Sequence, residues 1–166
     1  KGRLSMRLEG SCHRGAVRFS CEAYAPAPYM HCYCSICRKV AGGGGFAINL
    51  GAHADSLAVE GEDHVSVYRV RREDGRLGTP RRHFCKTCGS MLWAWDETWP
   101  DLLHPFAGAI DTPLPKAPER VHIMLDSKAP WVPVPEGKGE RHFPEYPDES
   151  LKDWHRRHGL LSGEDA

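Results

Sequence analysis

The sequence predicts a mainly β protein built from short antiparallel strands, and three observations lead to that fold class. Seventeen glycines and thirteen prolines in 166 residues interrupt the chain every few positions, a density that suits turns and short strands better than long helices. Apolar residues recur at period two in several short runs, the pattern of a half-buried strand. Asp74-Gly75 stands between two such runs, and Asp-Gly in that setting is the strongest short-range hairpin signal.

Ala16-Val17-Arg18-Phe19, which follows Gly15, is the first expected strand. Phe46-Ala47-Ile48-Asn49-Leu50 alternates and stops at Gly51. Val65-Ser66-Val67-Tyr68-Arg69-Val70 forms one arm of the Asp74-Gly75 hairpin and Arg82-His83-Phe84 the other, so Cys85 and Cys88 arrive at the hairpin's far end. Met91-Leu92-Trp93-Ala94-Trp95, Leu103 to Ile110 and Val121-His122-Ile123-Met124-Leu125 are three further strands. Asp148 to His158 reads as a terminal helix, capped by Asp148 or Ser150 and stopped by Gly159. The proline-rich stretches 113–118 and 130–135 are loops.

The length suits one domain, because chains of roughly 150 residues bury about 70% of their unfolded surface. That domain is placed at residues 6–159. Lys1 to Ser5 read as a non-native leader, since Met6-Arg7-Leu8-Glu9-Gly10 makes a sensible start, and residues 160–166 read as a frayed tail. Twenty-two basic and 22 acidic side chains cancel, so nothing steers toward nucleic acid, which asks for a basic face. No stretch approaches the roughly 18 apolar residues of a membrane span. The sequence does not define an oligomeric state.

The cysteines carry the chemistry. Cys32-Tyr33-Cys34-Ser35-Ile36-Cys37 places three thiols in six residues, and Cys85-Lys86-Thr87-Cys88 adds a pair closed by Gly89. Thiolates so close repel one another, whereas a divalent zinc neutralises them at about 2.3 Å per bond. Seven cysteines in 166 residues is an odd number below disulfide-scaffold density, and the first thirty residues hold no apolar segment of signal-peptide length. Zinc in a reducing cytoplasm is therefore expected rather than disulfides.

Three segments together resemble the glutathione-dependent formaldehyde-activating family, which includes centromere protein V. They are Gly10-Ser11-Cys12-His13-Arg14-Gly15-Ala16-Val17-Arg18-Phe19, Cys32 to Lys39, and Phe84-Cys85-Lys86-Thr87-Cys88-Gly89-Ser90. The resemblance runs from about Leu8 to Trp131. It implies a zinc-containing β-tent fold and carbon-sulfur lyase chemistry, the joining of glutathione and formaldehyde as S-hydroxymethylglutathione. It also implies two zinc sites, a catalytic one at Cys32, Cys34 and Cys37 and a structural one at Cys12, Cys85 and Cys88.

The second thiol of the family's first Cys-x-Cys pair is replaced here by Arg14, which cannot ligate zinc. One or two zinc ions per chain are thus expected. Cys21, His13 or His31 could complete the weakened site, water could fill it, or the guanidinium could stabilise thiolates without metal. Cys21 reads alternatively as a small buried hydrophobe, and alternation along a strand sets His13 opposite Cys12.

Three ligands with a vacant fourth position suit a catalytic zinc that accepts a substrate thiol, which then adds to an aldehyde carbon. The alternative is a closed site with His31, His53 or His83 as fourth ligand. Arg38 and Lys39 could meet the carboxylates of glutathione or lie solvated. Gly42 to Gly45 is a mobile loop or a substrate gate, not a phosphate loop. Two other functions stay open: a non-catalytic zinc-stabilised binding module, against which the lack of a basic tail counts, and a β-tent methionine sulfoxide reductase, against which the Cys-x-Cys-x-x-Cys spacing counts. No histidine pairs with a serine and an aspartate in the manner of a hydrolase triad.

Overall fold

The computed structural model describes residues 5–23 and 27–161. Most of the expected leader and tail lie outside the described residues. The protein is mainly β, and among the described residues there are two seven-residue α-helices, one of them near the C-terminus. No helix among the described residues is long and apolar enough to cross a membrane. The chain gathers into two compact units, one of residues 7–23 and 52–114, the other of residues 1–6, 24–51 and 115–166.

The first unit holds two sheets. A three-stranded sheet has the order β1 (Met6–Ser11), β2 (Arg18–Ala23), β6 (Ala58–Glu60). Alternation sets its inner face: Phe19, Cys21 and Ala23 of β2 are buried while Arg18 is exposed, as period two requires. A five-stranded antiparallel sheet has the order β5 (Ala52–His53), β10 (Leu102–Pro105), β9 (Met91–Trp95), β8 (Arg81–Cys85), β7 (Val65–Tyr68). Leu8, Val17, Leu92, Trp93 and Leu103 are buried core residues, and Phe19 packs its ring on Trp93 at 5.1 Å. The Asp74-Gly75 hairpin forms as expected between β7 and β8. Gly75 takes φ 81°, and Asp74 Oδ1 accepts the Arg76 N–H at 2.9 Å.

The second unit contains a four-stranded sheet ordered β12 (Glu140–His142), β11 (Arg120–Ile123), β3 (Tyr29–Cys32), β4 (Ala47–Asn49). Here the expectation of antiparallel strands needs correction, because β11 runs parallel to both β3 and β12. Parallel neighbours need long crossover connections, and residues 33–119 and 124–139 supply them. Helix α1 (Ser35–Ala41) follows β3, and α2 (Leu151–Arg157) closes the unit with Trp154 buried. Ser150 caps α2 as expected, its Oγ accepting the Asp153 N–H at 3.0 Å.

Other departures have local causes. The strand expected at 103–110 stops at Pro105 and continues as a 3-10 turn, Ala107–Ala109. The strand expected at 121–125 ends at Ile123, because Met124 adopts φ 59°. The first expected strand begins at Arg18 rather than Ala16, since residues 12–17 form a turn closed by Gly15 N–H to Cys12 O at 2.9 Å.

Candidate metal centres

Among the described residues, two groups of three metal-competent side chains form, and they are the two cysteine triads expected from the sequence. In each, the three sulfurs lie within 4.8 Å of one another.

The central triad is local. Cys32 ends β3, paired with Ile123 of β11 on one side and Ala47 of β4 on the other. Strand alternation returns Cys34 to the side Cys32 faces. Cys34 is the N-cap of α1, with φ −66° and ψ 157°, and its Sγ accepts the Cys37 N–H at 3.3 Å. One helical turn then brings Cys37 over Cys34. Cys32 and Cys37 are buried and Cys34 is half-buried.

Cys32 and Cys34 hold their protons unequally. Cys34 is drawn down to about 2, chiefly by accepting from the Cys32 and Cys37 thiols, with burial opposing and the Cys37 and Ile36 N–H groups assisting. Cys32 is driven up, because its thiol is held as donor to Cys34 and Cys37 and is buried. An ionised sulfur beside a protonated one, with the third within 4.8 Å, is a donor set suited to a soft divalent cation, which displaces bound protons. Zinc therefore fits these residues.

On α1, Arg38 is half-buried and Lys39 exposed. Two of the four glycines beyond the helix are required by packing. A Cβ on Gly42 would stand 2.3 Å from Phe46 O, and one on Gly45, at φ 95°, 2.2 Å from Val132 Cγ2. His31 lies outside the triad, with Nδ1 3.1 Å from Tyr29 O and its ring 5.0 Å from Phe46.

The other triad is assembled from two turns. Cys12 follows β1 and its Sγ accepts the Val17 N–H at 3.3 Å. Cys85 ends β8, and the chain returns as Gly89 N–H bonds Cys85 O at 2.7 Å and Cys85 N–H bonds Ser90 O at 2.9 Å. Ser90 joins the turns: its Oγ accepts the His13 N–H at 3.0 Å and lies 3.2 Å from Cys88 Sγ. Cys12 and Cys85 are buried, Cys88 is exposed. The Cys88 thiol is drawn down to about 6, first by the Ser90 hydroxyl and then by the Arg14 and Ser90 N–H groups. Arg14 thus acts on this sulfur through its backbone.

A turn separates Cys21 from Cys12, and Cys21 sits in β2. It is buried outside both triads, and burial with the Glu22 charge pushes its thiol up to about 11. His13 lies exposed in the turn after Cys12. His83 stacks on Trp93 at 5.0 Å in β8, and His53 lies in β5. Sequence reasoning assigned no role to Ser90, Tyr33, His122 or Glu140. Tyr33 had one usable signal, its position between two cysteines; the other three had none.

The chain is similar to known proteins. A family model described as glutathione-dependent formaldehyde-activating enzyme matches residues 7–127. A Halomonas elongata protein provisionally named a glutathione-dependent formaldehyde-activating enzyme is 54% identical over 158 residues, which cover 95% of this chain and 100% of that protein. A crystal structure of a Rhodobacter sphaeroides protein is similar at 27% identity with a TM-score of 0.52, covering 66% of this chain and 92% of that one.

Proposed function

Because the chain belongs to the glutathione-dependent formaldehyde-activating family, we propose that it is a carbon-sulfur lyase of the S-(hydroxymethyl)glutathione synthase type, acting at the Cys32, Cys34 and Cys37 triad. The observation that carries this reading is the convergence of three sulfurs at one strand-to-helix junction, with Cys34 reachable from solvent. Zinc held there by three thiolates would supply one further soft coordination position and lower the pKa of a thiol entering it. The chain's own part is to keep that position open and to orient the thiol.

The β3 end and the α1 cap hold the sulfurs to one side, while Arg38 and Lys39 on the same helix offer cationic heads to the carboxylates of glutathione. In the reaction a sulfur-carbon bond forms as the thiol adds to the formaldehyde carbon. The carbonyl π bond breaks, and the thiol proton ends on the new hydroxyl. The reverse reaction breaks the same carbon-sulfur bond. Zinc at Cys12, Cys85 and Cys88 has a structural role, weakened where Arg14 stands in place of a fourth thiolate.

The test is exchange between free glutathione, formaldehyde and their adduct, followed by NMR with and without the zinc-loaded protein. Acceleration that is lost in Cys34→Ser supports the reading. Exchange at the buffer rate with glutathione and with other small thiols overturns it and leaves a zinc-stabilised binding module.

A further inference from the structure

Tyr33 separates two of the central cysteines, and alternation turns it to the opposite side from them. There it is fully buried against Ala129 and Val132, with Phe46, Leu125 and Val134 packed around. A phenol in such surroundings needs a partner for its hydroxyl. That partner is His122 Nδ1, at 2.8 Å.

His122, itself 0% exposed, places Nε2 2.6 Å from Glu140 Oε2. Arg120 Nε donates to Glu140 Oε1 at 2.8 Å. Burial opposes the Glu140 charge, but the Arg120 and His122 hydrogen bonds outweigh it and hold the carboxyl below its usual range. A carboxylate only accepts, so His122 Nε2 carries a proton, and because burial holds the imidazole below its usual range and neutral, Nδ1 accepts from the Tyr33 hydroxyl.

The four side chains therefore form one connected network whose donors converge on the Glu140 carboxylate, the arrangement in which a buried network rigidifies. The backbone is tied in the same place. Tyr33 N–H donates to Ile123 O at 3.1 Å, one residue along β11 from His122. Tyr33 is thus pinned to β11 by both its amide and its phenol, and the sulfurs on either side of it cannot shift independently.

We propose that Arg120, Glu140, His122 and Tyr33 are positioning residues that preset the Cys32 and Cys34 sulfurs for their metal. The proposal rests on the zinc reading of that triad. They act through the peptide that joins two ligands. Outer-shell partners of metal ligands are commonly worth 10- to 100-fold in metal affinity. Because this link runs through the main chain, about tenfold is expected.

The test is the rate at which the zinc-loaded full chain gives up metal to a chromophoric chelator, with thermal unfolding measured in parallel. The release phase missing from Cys34→Ser belongs to the central triad. Tyr33→Phe and Glu140→Gln should each speed that phase about tenfold and leave any other phase unchanged. In the cobalt-loaded protein they should also displace the thiolate-to-cobalt absorption.

A lowered melting temperature with that phase and that absorption at their wild-type values makes the four residues merely structural and overturns the proposal. Wild-type protein with no phase sensitive to Cys34→Ser overturns the zinc reading and the proposal with it. Neither outcome depends on catalysis, so a failure of the lyase reading is seen separately in the exchange assay. Tyr33→Phe removes a single oxygen and decides the matter should Glu140→Gln not fold.

Discussion

The two cysteine triads each bring three sulfurs within 4.8 Å of one another, yet they are built in opposite ways. The central one comes from a single six-residue stretch in which a strand end, a helix cap and a first turn each supply a thiol. The other joins a turn at residue 12 to a turn at residues 85–88, held together by Ser90. Local construction gathers the three ligands at little loop-closure cost and leaves to β11 only their final placement. Distant construction makes a site that exists only in the folded protein, so metal bound there stabilises the fold by linkage. The first arrangement suits chemistry and the second suits stapling, which is the division of labour proposed here.

The largest test of that division is Cys34→Ser. It should reduce glutathione-formaldehyde exchange to the buffer rate and lower zinc content by one ion per chain, while thermal stability falls by less than in Cys85→Ser. Equal losses of stability in the two variants would break the distinction. Next comes Arg14→Cys, which supplies a fourth thiolate to the distant triad. Competition with a chelator should then show zinc held there at least about tenfold more tightly, since structural sites are closed by four protein ligands. An unchanged affinity would mean that another group already completes the site. A smaller effect is expected from replacing both Arg38 and Lys39 by alanine. Exposed charge pairs are worth up to about 1 kcal/mol, so the KM for glutathione should rise about two- to fivefold with kcat preserved, the pattern of lost uniform binding.

What the sequence revealed follows the same contrast between local and distant. The β9 strand, the Asp74-Gly75 hairpin and the Ser150-capped helix were legible because each is specified within about ten residues by alternation, turn chemistry or a cap. Helix α1 was not, since its cap is a cysteine rather than a usual capping residue and glycine ends it after two turns. Strand β12 is three residues long and exists by pairing with β11, so no periodicity marks it. Five of the six triad cysteines were legible from spacing, and Cys12 only through the family resemblance. Ser90, His122 and Glu140 were not, because a hydroxyl that bridges two turns 77 residues apart and a histidine that meets a tyrosine 89 residues away leave no local trace.

The two sites also differ in how their thiols titrate, and the smallest expected effect on turnover lies there. In chelator-treated protein Cys88 is exposed and its thiol is drawn from an ordinary 9.0 down to about 6 by the Ser90 hydroxyl and two N–H groups, whereas burial holds Cys21 up at about 11. Alkylation by iodoacetamide, read peptide by peptide by mass spectrometry, should therefore label Cys88 with a midpoint near pH 6 and leave Cys21 unlabelled through neutrality, because only the thiolate reacts. Ser90→Ala should move the Cys88 midpoint upward.

The sign for stability follows from linkage. A thiol whose folded pKa lies below its unfolded one stabilises the fold fully above pH 9.0, and that contribution fades as pH falls and is gone below about pH 6. The metal-free protein should thus lose stability between those limits on acidification, and Ser90→Ala should flatten the slope. A Cys88 midpoint that stays near 9 would mean that Ser90 ties the two turns together without tuning the sulfur, and the distant triad would then be a staple whose thiols are no more acidic than any others.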